Sequence, residues 1–227
     1  MILVSGVRFH TLCIPRLCIY PGRTAIIGRN GSGKTSLLRL LAGLAAPEEG
    51  SVEIPGRPEG TCRAGWVDEY PDRNFIFSTV YDEIASSCRF YHISCGETDR
   101  MVGDIASKAG IAHLVHREIR TLSGGEKAMV ALAAALVTTP PLVVLDEYDS
   151  HLDASCIDAV ERLLQASGAR YIIQCTQNME LAARCDGMVF LSGGKILHHG
   201  RPEEIFTVLE SSCFYPFSWR LRDAGCL

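Results

Sequence analysis

Gly28-Arg29-Asn30-Gly31-Ser32-Gly33-Lys34-Thr35 decides how this chain folds. The stretch fits the pattern G-x-x-x-x-G-K-[ST], and its flanks fit the same device. The short apolar run Thr24–Ile27 leads in, and leucines at 37, 38, 40, 41 and 44 lead out on a helical spacing. A buried strand, a glycine loop and a helix from Lys34 to about Leu44 are therefore predicted in that order. Glycines permit a tight loop whose N–H groups wrap phosphate oxygens. Gly28, Asn30, Gly31, Ser32, Gly33 and Ser36 are the expected cradle. Lys34 would reach the outer phosphates as a point charge. Thr35 would offer its hydroxyl to Mg²⁺, which prefers hard oxygen ligands.

Two further stretches belong to the same chemistry. In Leu142-Val143-Val144-Leu145-Asp146-Glu147, four aliphatics end in two carboxylates. This is the pattern of a buried parallel strand with acids at its carboxyl end, where open α/β sheets bind ligands. Asp146 is expected in the Mg²⁺ shell and Glu147 as the general base that polarises an attacking water. In Leu122-Ser123-Gly124-Gly125-Glu126-Lys127, Ser123 reads as a helix N-cap and Glu126 completes a capping box before the apolar run Met129–Val137. Gly124 and Gly125 let a phosphate approach the amides at the positive end of that helix.

The rest of the chain alternates strands and helices. Val4–Phe9 and Cys13–Tyr20 read as strands before a Pro21-Gly22 turn, and Ser51–Ile54 as another. Thr79 to Arg120 is helical with polar interruptions. Ala154–Ala166 is an amphipathic helix, Tyr171–Cys175 a strand, and Gly187–Leu191 with Lys195–His198 a closing hairpin. The order predicts an α/β fold with a mainly parallel central sheet.

Composition bounds the function. With 22 basic against 26 acidic residues the net charge is −4 over 227 residues, which argues against a nucleic-acid partner. No apolar run approaches the roughly 20 residues of a membrane span, and no basic-then-apolar secretory signal opens the chain. Ten cysteines are scattered without a C-x-x-C pair and read as reduced thiols used as small apolar residues. Aromatics at 206, 214, 215, 217 and 219 suggest either a docking tail or a helix packed on its own domain.

The Ser123–Glu126 segment resembles the LSGGQ signature of ABC-type ATPases, and Asp146-Glu147-Tyr148-Asp149-Ser150-His151-Leu152-Asp153 is similar to that family's D-E-P-T-S-A-L-D run. The resemblance covers about residues 1–205. It implies a P-loop NTPase of the ABC ATPase type: a RecA-like core with a mainly parallel sheet, an antiparallel β subdomain, and a helical signature subdomain at about 78–137. Residues 206–227 would form a short C-terminal tail. It also implies ATP and Mg²⁺ as ligands and a homo- or heterodimer in which the signature of one subunit closes over ATP held by the other. An adenine-stacking residue is expected on the first strands, with Phe9 the candidate beside His10 and Phe9 as core the alternative.

Two positions depart from the family pattern. Val67-Asp68-Glu69-Tyr70-Pro71-Asp72 aligns with V-F-Q-N/Y-P-D/E, whose glutamine senses the γ-phosphate and Mg²⁺. Glu69 stands in its place, and no glutamine precedes Gln165. Thr176-Gln177-Asn178-Met179 matches a strand end that normally reads Thr-His-Asp/Asn-Met, so Gln177 replaces the switch histidine. A carboxylate can ligate Mg²⁺ but adds charge near the γ-phosphate; an amide can donate to a phosphate oxygen but carries no positive charge. Together they imply a site that binds ATP–Mg²⁺ and hydrolyses it slowly, the alternative being that Glu69 and Gln177 substitute adequately for the residues they replace.

Tyr70-Pro71-Asp72-Arg73-Asn74, then Ser78-Thr79-Val80-Tyr81-Asp82-Glu83-Ile84, and Gly200-Arg201-Pro202-Glu203-Glu204-Ile205-Phe206 are similar to segments of energy-coupling-factor (ECF) importer ATPases. That likeness implies separate integral membrane subunits and a peripheral position on the cytoplasmic face of the cell membrane. The competing class is a soluble ABC ATPase that drives assembly of a non-membrane complex. A DNA-repair ABC ATPase would need long coiled-coil insertions, for which the chain has no room.

Overall fold

Alternating burial builds the first sheet. In the computed structural model, which describes residues 1–55, 64–71 and 74–225, β1 (Ile2–Phe9) buries Ile2, Val4 and Val7, and β2 (Leu12–Ile19) buries Leu12, Ile14, Leu17 and Ile19. The two pair antiparallel from Ile2↔Ile19 to Phe9↔Leu12. Then β3 (Gly22–Ile27) runs into the glycine loop and α1 (Lys34–Ala42). The helix ends two residues before the predicted Leu44, because Gly43 takes a left-handed φ of 76° and caps it. β4 (Glu49–Glu53) pairs antiparallel with the other edge of β1.

The chain divides into two compact units, Met1–Cys62 with Tyr171–Leu227, and Arg63–Arg170. The second unit opens with β5 (Ala64–Val67), which pairs in parallel with the later β6 (Leu142–Asp146), Val67 opposite Leu145. All five residues of β6 are buried, as its aliphatic run requires. Between them lie α2 (Val80–Phe90), α3 (Cys95–Lys108) and α4 (Gly124–Leu136), capped by Thr79, Ser94 and Ser123 respectively, each accepting from an amide three residues on. α5 (Ala154–Ala166) follows β6 and keeps its predicted bounds, started by Asp153 accepting from the Cys156 amide at 2.8 Å. Asp72 and Arg73, quoted in the ECF-like segment, lie outside the described residues, as do Cys62 and Cys226.

Back in the first unit, β7 (Tyr171–Cys175) and β8 (Gly187–Ser192) flank β3 in parallel on either side, and β9 (Lys195–Gly200) pairs antiparallel with β8. α6 (Met179–Ala182) follows β7. α7 (Pro202–Leu209) runs through the expected boundary at 205/206. Its Phe206 is fully buried with Ala25, Ile27, Met188 and Ile205, and Phe214, Tyr215 and Trp219 pack against that cluster. α8 (Phe217–Asp223) closes the unit, with Phe217 69% exposed.

A hydrogen-bonded latch ties α8 to α6. Ser218 donates its amide and its hydroxyl to the two oxygens of Glu180, at 2.9 and 2.6 Å. Burial pushes the Glu180 carboxyl up, but the Ser218 hydroxyl and the Ser218 and Phe217 amides outweigh it and hold the group below its ordinary range. A lowered folded value makes the latch fully stabilising above the unfolded carboxylate value, near pH ~4.3. It is lost as pH falls through the folded value. Ser218→Ala should cost about 1–2 kcal/mol in protection of the α8 amides at neutral pH, read by hydrogen exchange. The gap between variant and wild type should close on acidification.

Candidate nucleotide-binding site

The glycine loop is shaped by contacts that leave no room for side chains. Gly28 has φ 152°, and a Cβ there would lie 2.2 Å from the Leu191 carbonyl oxygen and 2.9 Å from Ser32 Oγ. Gly33 has φ 101°, and a Cβ there would meet Leu12 Cδ2 at 2.6 Å. Gly31, at φ 78°, faces open space. The Ser32 amide donates to the Arg29 carbonyl at 3.1 Å, and the Ser32 carbonyl accepts from Gly194 at 3.1 Å. Lys34 is buried and folds back over the loop, its Nζ donating to the carbonyls of Gly28 at 3.1 Å and Arg29 at 3.4 Å. Thr35 is exposed and Ser36 half-buried on the first turn of α1.

These features fit a polyphosphate. Ser32 Oγ is buried with no hydrogen-bond partner among the described residues. The start of α1 has no side-chain cap, because its N-cap is Gly33. An orphaned hydroxyl, open amides at a helix N-terminus and a buried ammonium group all seek anionic oxygen. Gln177, just past the carboxyl end of β7, donates through Nε2 to Asn30 Oδ1 at 3.4 Å. Neighbouring parallel strands β7 and β3 thus bring the switch position to the loop. Phe9 is half-buried at the end of β1, its ring 4.2 Å from that of His10.

The acids gather in the other unit. Asp146 is buried at the carboxyl end of β6, and Glu147 is half-buried beside it with φ 46°. Two residues past the end of β5, Glu69 lies 3.8 Å from Nε2 of His151, and the His151 ring stacks obliquely on Tyr70 with centroids 4.9 Å apart. Buried and half-buried carboxylates at the ends of adjacent strands are hard oxygen donors of the kind Mg²⁺ takes. Nothing in the residue pattern pointed to the His151 contact beyond histidine standing at an alanine position of the D-E-P-T-S-A-L-D run.

The capping box forms as read. The Ser123 amide donates to Glu126 Oε2 at 2.7 Å and the Glu126 amide to Ser123 Oγ at 3.3 Å. Donation from the Ser123 amide and hydroxyl holds the Glu126 carboxyl below its ordinary range. Ser123 and Gly124 are exposed, and a Cβ at Gly124 would meet nothing. Gly125 is different: a Cβ there would lie 2.5 Å from Cys156 Sγ on α5. The helix start is therefore open on one side and pressed against α5 on the other.

Comparison with known proteins bears on the family and the fold. The ABC transporter family profile matches residues 15–150. An energy-coupling factor transporter ATP-binding protein, EcfA1, of Bacillus subtilis is 32% identical over 222 residues, which are 91% of this chain and 79% of the relative. Its namesake from Lacticaseibacillus paracasei is 33% identical over 214 residues, 88% and 77% of the two chains. Among solved structures, cbiO1 of Clostridium perfringens, part of the ABC transporter complex cbiONQ, superposes with a TM-score of 0.81 at 25% identity over 92% of each chain. A dimeric ATP-binding cassette in a post-hydrolysis state bound to ADP and Pi shares the fold at 21% identity, with a TM-score of 0.78 over 89% of this chain and 99% of that one.

The Gly125 contact is open to a direct check. Gly125→Ala should destabilise the protein by about 1–3 kcal/mol through overpacking against Cys156. Cys156→Ala in the same chain removes the sulfur, and the next Cys156 atom lies at an ordinary 3.8 Å. Thermal unfolding should show most of the loss recovered in the double variant.

Proposed function

The chain belongs to the ABC transporter family, and we propose that within it the protein is the ATP-binding subunit of an ECF-type importer. It dimerises over ATP–Mg²⁺ on the cytoplasmic face of the membrane and couples ATP binding and hydrolysis to transport by separate membrane subunits. The observation that carries this reading is the likeness, over most of the chain, to ATP-binding proteins named for energy-coupling factor transporters. No helix among the described residues is long and apolar enough to cross a membrane, which fits a peripheral subunit.

The residues divide the work. Gly28, Asn30, Gly31, Ser32, Gly33 and Ser36 cradle the phosphates, and Lys34 supplies positive charge. Phe9 stacks on adenine. Thr35, Asp146 and Glu69 supply hard oxygens for Mg²⁺, which when bound offsets the charge on the phosphates. Glu147 takes a proton from the attacking water. Ser123, Gly124 and Gly125 serve the nucleotide held by the partner subunit, and the open space at Gly124 supports that use.

Glu69 and Gln177 make the chain's own site slow. The Gln177 amide already donates to Asn30, and Glu69 already faces His151. Neither brings a fixed positive charge to the γ-phosphate. Glu69→Gln with Gln177→His should raise turnover in this site by about tenfold, measured with the partner's site disabled. Unchanged turnover would sink the slow-site reading.

The second unit also carries a surface suited to an apolar partner. A cavity of about 610 Å³ is lined by Phe75, Phe77, Ile119 and Arg120 among others, and Ile76 beside it is 82% exposed. Affinity purification from the source cell should recover a multi-span membrane protein with this chain. A soluble scaffold recovered in its place overturns the importer reading. Ile76→Glu should weaken that recovery about tenfold while leaving ATP binding intact, since it removes an apolar anchor at the rim.

A further inference from the structure

Glu147 stands in a backbone conformation rare for its residue type. Its φ of 46° lies in the left-handed region, where a Cβ crowds the following carbonyl. Such strain persists only where the surroundings over-determine it. The amide of Ser150 donates to the Glu147 carbonyl at 3.1 Å and closes a turn, but turns of this kind form equally well without left-handed residues.

The next residue supplies the stronger constraint. Tyr148 is buried, and its hydroxyl donates to Oε1 of Glu161 at 2.8 Å. Glu161 is itself buried, on α5. The tyrosine ring lines a small apolar pocket with Leu145, Val160, and Ala128 and Leu132 of α4. In the D-E-P-T run that this segment resembles, proline stands at the Tyr148 position. Proline restricts the residue before it sterically, by its ring. That restriction favours extended backbone and would not itself produce a φ of 46°, so beside this turn the constraints at Tyr148 are its packing and the hydroxyl–carboxylate bond.

We propose that Tyr148 and Glu161 are positioning residues for ATP hydrolysis, the buried hydroxyl–carboxylate bond locking the turn that aims the Glu147 carboxylate. The inference rests on the reading of Glu147 as the base. It assigns a function to a buried carboxylate, Glu161, that takes no other part in the chemistry. A purely structural role would lower stability without changing the ratio of turnover to nucleotide affinity. A positioning role lowers kcat and leaves binding alone, because phosphate and adenine contacts lie elsewhere.

The test uses the full chain assembled with its partner subunits, the partner's nucleotide site disabled so that turnover reads this chain's own site. Tyr148→Phe should lower kcat by about ten- to a hundredfold, the scale expected for a misplaced catalytic group. The KM for ATP and the affinity for a fluorescent ATP analogue with Mg²⁺ should stay within about twofold. Because Tyr148→Phe takes the tyrosine donor from a buried carboxylate, Tyr148→Phe with Glu161→Leu is made alongside. Removing both partners restores folding stability but not the lock, so this double variant should melt near wild type and keep the loss in kcat. Glu161→Gln retains an acceptor oxygen and should keep most of kcat. A double variant with wild-type melting and wild-type kcat overturns the inference, as does a loss confined to KM and binding. Glu147→Gln separates the two levels. If it loses turnover while the double variant does not, only the positioning role falls. If it retains turnover, the reading of Glu147 falls as well.

Discussion

The Leu191 carbonyl leaves no space for a side chain at position 28. That close approach joins the end of β3 to the end of β8, and the phosphate loop is built on it. With Gly28 pressed against the sheet, the chain must turn at once, and Gly33 over Leu12 and Gly194 over the Thr11 carbonyl complete the same tight layer. Lys34 is then buried over the carbonyls of its own loop rather than extended into water. The Lys34 side chain is thus already ordered, so an anion bound at the loop would cost it little side-chain entropy.

Strand-end chemistry organises the remainder. β3 lies between β7 and β8, so the loop and Gln177 emerge at neighbouring carboxyl ends. β5 and β6 are likewise parallel neighbours, so Glu69 and the acids 146–147 emerge together. The glycine loop, Gln177 and the acids 146–147 each follow a strand that is buried along most of its length. The C-terminal residues contribute from the far side of the first unit. Phe206 and Trp219 complete the core beneath β3 and β8, and the Glu180–Ser218 latch holds α6, the short helix that starts two residues after Gln177.

Local signals were legible in the chain itself. The bounds of α5 and β7 follow from Asp153 as a cap and from aliphatic runs, and the capping box at Ser123 needs only residues three apart. β5 was invisible as a strand, because four residues with a buried glycine at their second position carry too short a pattern. Contacts between distant segments were also hidden. Gln177 reaches Asn30 across 147 positions, and Glu69 meets His151 only because β5 and β6 pair. The departures at 69 and 177 were readable one at a time, whereas Tyr148 and His151 gained meaning only from their contacts. Their partnerships depend on strand order, which no local pattern encodes.

Those partnerships change what the departures mean. A lone glutamate near a γ-phosphate would be a simple electrostatic fault, and a lone tyrosine for proline a simple loosening of the turn. Instead Glu69 faces an imidazole, and Tyr148 is bonded to a buried carboxylate. Both arrangements put a partner in the same unit where the family pattern has a residue that needs none. Such a site depends more on its own packing. By contrast the Ser123–Gly125 helix start makes no such compromise: its cap is satisfied internally, its amide face is open at Gly124, and its position is set by Gly125 against Cys156. The Ser123–Gly125 helix start is thus formed wholly within its own unit, whereas the glycine loop before α1 leaves the buried Ser32 hydroxyl unsatisfied among the described residues.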